Sequence, residues 1–131
     1  AGCFHLRPAL IRPDRAKHRP INRHFASQSL QEKDGWSDDP RDPHYNQRVS
    51  RPHAYSHEAL WREDGLYDVI IPLGYNDETP KPGLGSAIFF HIATQNYHPT
   101  EGCVAIHEGD MWDILPRLVM GMKMTISRLP K

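Results

Sequence analysis

The apolar positions of the chain form short runs, most of them in its second half, with polar, turn-rich segments between them. Residues 67–73 are β-branched and aromatic, which predicts a strand with Pro72 near its end or at a sheet edge. Residues 86–93 are mostly apolar, which predicts a second strand buried on both faces. The loop of residues 76–85 between them is rich in Pro and Gly and begins with Asn76, so we expect turns there.

Two short helices and a closing strand are predicted outside these runs. Residues 56–61 predict a helix with Ser56 as its N-cap. Asp110 is the predicted N-cap of a second helix, and Pro116 should end or kink this helix. Residues 122–127 alternate apolar and polar positions and predict a strand. The apolar face of the second helix comprises Met111, Trp112, Ile114 and Leu115, and that of the strand comprises Met122, Met124 and Ile126.

Residues 7–52 have little periodicity and many prolines, so we expect sparse regular structure there. A segment of this length without elements is either disordered or a functional lid. Residues 35–46 favour the lid, because Trp36 and Tyr45 supply apolar anchors that disordered tracts lack. We therefore predict an ordered cover over the functional site, with a merely structural wrap as the alternative. Trp36 and Tyr45 are the candidate substrate contacts.

Strands outnumber helices in this reading, and the predicted fold class is mainly β, with one or two short helices packed on the outside. The chain has 131 residues, enough for one hydrophobic core, so we assign residues 1–131 to a single domain. Residues 1–6 begin as though inside a strand. We therefore expect further N-terminal strands and an export signal ahead of this sequence, which makes the domain N-terminally incomplete.

The charge balance argues against a polyanion as the ligand. Sixteen Lys and Arg offset sixteen Asp and Glu, so no basic surface for nucleic acid is expected. No apolar run approaches the ~20 residues of a membrane span.

The strongest candidate for reactive chemistry is the pair formed by His91 and Cys103. His91 lies in one apolar run, and Cys103 follows Gly102 at the start of the next. A thiol attacks as its thiolate, and a neighbouring imidazole supplies that form by accepting the proton. A glycine before the cysteine lets an acyl group approach the sulfur and the backbone N–H groups. If Cys103 is a nucleophile rather than half of a disulfide, Cys3 is a packed or partly exposed thiol.

These residues resemble the signature of the L,D-transpeptidase (YkuD-like) catalytic domain. In that family an upstream His precedes a Ser/Thr-x-Gly-Cys-Val/Ile motif, with an aliphatic residue and an Asp farther on. The resemblance covers nearly the whole chain. The matching positions are His91, Thr100, Gly102, Cys103, Val104, Ile106 and Asp110.

Two positions depart from the family pattern. Glu101 stands where many members have a second His, so the base role falls on His91 alone. Ala105 stands where many members have an Arg that helps to organise the site or meets an anionic part of the substrate. The second departure bears on the choice of substrate, whereas the nucleophile is unaffected by it.

The resemblance implies a β-sandwich or flattened barrel, and two-step acyl transfer between peptidoglycan stem peptides. Cys103 would form a thioester with the donor stem while His91 takes the thiol proton, and a diaminopimelate amine of a second stem would resolve it. Water in place of the amine gives carboxypeptidase activity. Carbapenem β-lactams are the implied acylating inhibitors, the periplasm is the implied location, and we expect no cofactor and no metal.

Supporting roles follow from the same resemblance. The N–H of Cys103 and one from Gly102 or Val104 are the expected oxyanion donors. Thr100 would orient His91 or its loop. Glu101 is either a substrate contact or a solvated side chain.

The departures at Glu101 and Ala105, together with the insertion of residues 35–48, look more like an alphaproteobacterial and betaproteobacterial branch of the family. That branch cuts after L-alanine at stem position one and joins this alanine to diaminopimelate. The ordinary 3-3 transpeptidase and the L,D-carboxypeptidase stay open as alternatives. So do a catalytically inactive wall-binding module and a zinc peptidase, whose metal-capable residues would be His91, His98, Cys103 and His107.

Overall fold

The computed structural model describes residues 2–17, 19, 22–93 and 103–127. Strands dominate this part of the chain. The strands are β1 (Gly2–His5), β2 (Ala9–Ile11), β3 (Ser27–Ser29), β4 (Asp34–Ser37), β5 (Arg48–Ser50), β6 (His57–Ala59), β7 (Val69–Pro72), β8 (Phe89–Ile92), β9 (Val104–Ile106) and β10 (Lys123–Ile126). Helix α1 (Glu108–Ile114) continues into a 3-10 turn (Leu115–Arg117).

A five-stranded sheet in the order β3-β2-β7-β8-β9 forms the centre of the fold. Its inner strands β7 and β8 are antiparallel and completely buried, as expected for runs that are apolar on both faces. Strand β9 lies parallel to β8 at the sheet edge. Two smaller sheets complete the architecture, one of three strands in the order β5-β4-β6 and one of β1 with β10.

The two faces of the central sheet bury different partners, because successive side chains of a strand point to opposite sides. Phe90 and Ile92 pack on one face with Met111 and Trp112 of α1. Phe89 packs on the other face, where its ring meets Trp36 of β4 edge to face at 5.1 Å between centroids. The three-stranded sheet therefore covers the face of the central sheet that faces away from α1.

This layered arrangement confirms the mainly β fold class. Its several sheets agree with a sandwich, and the described residues form no closed barrel. The strands predicted in residues 67–73, 86–93 and 122–127 are present as β7, β8 and β10. Pro72 is the last residue of β7, as expected, although it lies inside the sheet opposite Phe89.

The predicted helix at residues 56–61 is wrong, because this segment contains strand β6. Glu58 pairs with Trp36 of β4 in the three-stranded sheet, and Leu60 is completely buried beside it. A helix of one or two turns gains little by itself, since nucleation is costly, so pairing and burial decide the conformation. The second predicted helix exists but begins at Glu108, with His107 at the N-cap position and Asp110 in its first turn. Pro116 lies in the 3-10 turn that ends it.

The expectation of sparse regular structure in residues 7–52 holds in part, since the described part of this segment contains four short strands, β2 to β5. Proline does not prevent strands when it flanks them, as Pro8 and Pro13 flank β2. A buried polar cluster fixes the turn after β4: Asp42 accepts hydrogen bonds from Ser37 Oγ at 2.6 Å and from the backbone N–H of His44 at 2.8 Å. No helix in the described residues is long and apolar enough to cross a membrane.

Candidate active site

Strand pairing brings His91 and Cys103 to one face of the central sheet. His91 in β8 lies opposite Ala105 in the parallel strand β9. Cys103 precedes Ala105 by two residues, so by the period of a strand it shares the face of His91. Both side chains line one cavity of about 430 Å³. Two residues twelve positions apart in the sequence therefore reach the same space.

The His91 ring is fixed in an orientation suited to a base. It is buried, and its Nδ1 lies 2.8 Å from the carbonyl oxygen of Ile92. A carbonyl only accepts, so Nδ1 carries the hydrogen and Nε2 keeps a lone pair. The Tyr67 ring and the imidazole pack edge to face, at 5.3 Å between centroids. Burial lowers the pKa of His91, which keeps the imidazole neutral and able to accept a proton.

The Cys103 thiol is half-buried and held between two backbone groups. Its Sγ accepts a hydrogen bond from the N–H of Phe89 at 3.5 Å and donates one to the carbonyl oxygen of Ala87 at 3.3 Å. Burial raises the pKa of this thiol, and the Phe89 N–H offsets only part of that rise. The resting site is therefore a thiol with a neutral imidazole. The proton therefore moves from the thiol to the imidazole as Cys103 attacks.

The segment behind the thiol is held by residues of the 35–46 segment. Ala87 has a positive φ of 54°, a conformation that costs a non-glycine residue and needs support. Asn46 supplies it, because its Oδ1 accepts hydrogen bonds from the N–H of Ala87 at 3.1 Å and from Trp36 Nε1 at 2.9 Å. The hydroxyl of Tyr45 accepts a hydrogen bond from the N–H of Gly85 at 3.2 Å. Trp36 and Tyr45 thus pack behind the site.

Polar side chains from other elements also line the cavity. Glu58 of β6 accepts a hydrogen bond from the hydroxyl of Tyr67. Arg62 places its guanidinium carbon 5.2 Å from the centre of the Tyr67 ring and forms an ion pair with Asp64. The described residues that line the cavity are Asp38, Glu58, Arg62, Leu66, Tyr67, Ser86, Ala87, His91 and Cys103.

Comparison with known proteins identifies the family. The family model described as the YkuD L,D-transpeptidase catalytic domain matches residues 2–126. The chain belongs to the L,D-transpeptidase catalytic domain family. No curated protein and no solved structure matches the chain. Members of this family are cysteine-dependent transpeptidases that act on peptidoglycan stem peptides and are sensitive to carbapenems. The family resemblance inferred from the motif is confirmed, and the chain has an L,D-transpeptidase-type function in peptidoglycan.

Several predicted site residues of this L,D-transpeptidase domain can be located, and others cannot. Thr100, Glu101 and Gly102 lie outside the described residues, so their roles stay predictions. Val104 packs its side chain on the α1 face of the sheet, away from the cavity. Trp36 and Tyr45 do not line this cavity. Their packing gives both a structural role, and substrate contact by either stays a prediction.

Both cysteines of the transpeptidase domain are thiols, and Cys3 is exposed on β1, as expected of a residue outside the site. The described residues contain no group of three or more metal-capable side chains. His98, one of the four residues of the zinc alternative, lies outside the described part of the chain.

Sequence reasoning missed Glu58, Tyr67 and Arg62. The helix predicted over residues 56–61 leaves the acidic side chain of Glu58 solvated, so it gives no signal of a cavity. Tyr67 carried a usable signal, because a tyrosine that begins a buried strand needs a partner for its hydroxyl. Arg62 carried none, since its place at the cavity depends on how β6 packs against the central sheet.

Proposed function

We propose that this domain forms peptidoglycan cross-links through a thioester on Cys103, with His91 as the general base. One observation carries the proposal: the imidazole, with Nδ1 bound to a carbonyl, shares a cavity with the thiol on one face of two paired strands. A nucleophile and a base on neighbouring rigid elements are what cysteine acyl transfer requires.

In the first half-reaction, Cys103 Sγ attacks an amide carbonyl of the donor stem whose acyl side is an L-centre. The thiol proton passes to His91 Nε2, and the C–N bond then breaks as this proton is delivered to the leaving amine. The N–H of Cys103 and one from Gly102 or Val104 would stabilise the oxyanion. Each such donor is worth about 10²–10³ in rate in acyl transferases.

In the second half-reaction, the side-chain amine of diaminopimelate on a neighbouring stem resolves the thioester. We propose that the bond made is of the L-alanine to diaminopimelate type, between stem positions one and three. Ala105, Glu101 and the insertion of residues 35–48 support this branch. Asp38, within that insertion, lines the cavity, so the insertion contributes to the cleft where the donor is chosen. We place this reaction in the periplasm.

Acylation and product analysis test the nucleophile and the bond together. Cys103→Ala should abolish both the mass increase with a carbapenem and turnover of stem peptides, because no sulfur remains to form the thioester. Cys3→Ser is the matched control and should retain both, since Cys3 is exposed in β1. Equal losses in the two folded variants would contradict the assignment.

Wall digests from cells that express the full-length enzyme distinguish the cross-link types. Alanine-to-diaminopimelate dimers should appear with the wild type and be absent with Cys103→Ala. Dimers that join only diaminopimelate to diaminopimelate would return the protein to the 3-3 transpeptidases, and trimmed stems without dimers would indicate a carboxypeptidase.

A further inference from the structure

Glu58 is an acidic side chain in the cavity wall, and thioester formation gives it no role. It is half-buried in β6 and lines the same cavity as His91 and Cys103. Its Oε1 accepts the hydrogen bond from the Tyr67 hydroxyl, whereas its Oε2 accepts none from the described residues. The carboxylate is therefore anchored through one oxygen and has the other available for a donor in the cavity.

Tyr67 connects this carboxylate to the base. Its hydroxyl binds Glu58, and its ring packs edge to face with the imidazole of His91. Carboxylate, phenol and imidazole therefore form a continuous line along the cavity wall. A group bound to Glu58 therefore lies in the same cavity as the residue that would remove its proton.

The charge of Glu58 acts in opposite senses on the two groups of the first half-reaction, and it suits the cationic substrate of the second. It adds to the rise in the pKa of the Cys103 thiol, which disfavours thiolate. It also acts to raise the pKa of His91 against the larger effect of burial, which favours the imidazolium. A negative charge here is useful when a cation enters the cavity. In a transpeptidase that cation is the ammonium group of the acceptor.

We propose that Glu58 is a specificity-determining residue that binds the ammonium group of the acceptor stem and holds it at the thioester. The inference rests on the proposed function, which supplies the thioester. The ammonium gives one proton to His91 Nε2, and the free amine attacks the thioester carbonyl. The C–N bond forms and the C–S bond breaks. The amine's second proton ends on Cys103 Sγ, and the proton held by His91 leaves to solvent.

Glu58→Gln tests the proposal, because it removes the charge and keeps an oxygen for the Tyr67 hydroxyl. The full-length chain is acylated with a donor stem tetrapeptide, and the thioester is offered either a diaminopimelate-containing tripeptide or hydroxylamine, which is uncharged at neutral pH. We expect the KM for the cationic acceptor to rise about tenfold, as for loss of one charge-assisted hydrogen bond. The rate of thioester formation should not fall, and neither should the rate at which hydroxylamine captures the thioester.

Glu63→Gln is the matched control, because it removes the same charge from an exposed side chain that does not line the cavity. An unchanged acceptor KM in Glu58→Gln, an equal loss with hydroxylamine, or the same loss in Glu63→Gln would each overturn the inference. If Glu58→Gln does not fold, the same KM is measured with Glu58→Ala. In that variant water can enter the space left by the side chain and accept the hydrogen bond from the Tyr67 hydroxyl. A wild type that forms no thioester would instead refute the proposed function, so the two failures are distinguishable.

Discussion

At the scale of single residues, the candidate site combines a thiol and an imidazole that are both neutral at rest. Burial raises the pKa of Cys103 and lowers that of His91, so burial disfavours a preformed thiolate–imidazolium pair. The buried imidazole stays unprotonated below its usual value of 6.5. It can therefore act as a base in mildly acidic conditions, where a solvated histidine would be largely charged.

His91→Ala should slow thioester formation by about 10²-fold or more at pH 7, as expected for loss of a general base. The wild-type rate should stay constant as pH falls to 6.5 and decline only below it, when His91 is protonated. In the variant, the rate should rise with pH towards the raised pKa of the thiol, because hydroxide then ionises Cys103 directly. Stopped-flow acylation by a carbapenem across pH 5–10 measures both profiles. Full activity of the variant would show that His91 is not the general base.

At the scale of elements, β8 connects the site to both layers of the core. Its residues alternate between the α1 face and the face covered by the three-stranded sheet, and His91 lies on the latter face with Phe89. Phe89 is completely buried, and its ring meets both Trp36 and Tyr67 edge to face. Phe89, two residues before the base His91, therefore belongs to the aromatic cluster that joins the two sheets.

Phe89→Ala should lower the free energy of unfolding by about 3–5 kcal/mol, because it leaves a cavity between two packed sheets. Urea denaturation followed by tryptophan fluorescence measures this change. Leu84→Ala is the control, since Leu84 is 56% exposed and its truncation should cost less than about 0.5 kcal/mol. A cost below about 1 kcal/mol for Phe89→Ala would show that the two sheets do not depend on this contact.

At the scale of the whole molecule, stability against acid depends on a buried carboxylate outside the site. Burial acts to raise the pKa of Asp42, but hydrogen bonds from Ser37, His53 and the N–H of His44 outweigh it and lower the pKa to about 2. A folded pKa below the usual 3.8 stabilises the protein above that pH. This contribution is lost as pH falls through the range between the two values.

The free energy of unfolding should therefore fall between about pH 4 and pH 2, and it should fall less steeply in Asp42→Asn, which cannot be protonated in this way. The variant should also be less stable than the wild type at pH 7, because an amide replaces the charged acceptor at the centre of the cluster. Urea midpoints at a series of pH values test both expectations. Asp113→Asn, a change on the exposed side of α1, should follow the wild-type curve.

The sequence by itself determined the features that depend on local pattern. Continuous apolar runs specify buried strands wherever they occur, so β7 and β8 were predictable. The motif that joins His91, Gly102 and Cys103 resembles the signature of the family, and the family model confirms that resemblance. The terminating effect of Pro116 was predictable for the same local reason.

Only the tertiary structure decided which distant side chains meet. Residues 57–59 form a strand because they pair with the edge of β4 and because the neighbouring Leu60 is buried in the core. Neither the pairing nor the burial can be read from the sequence of this segment. Glu58 reaches the cavity of Cys103 because the three-stranded sheet packs on the face that carries Phe89. Pairing and packing join residues far apart in the chain, and their free energy depends on burial and geometry that no local pattern encodes.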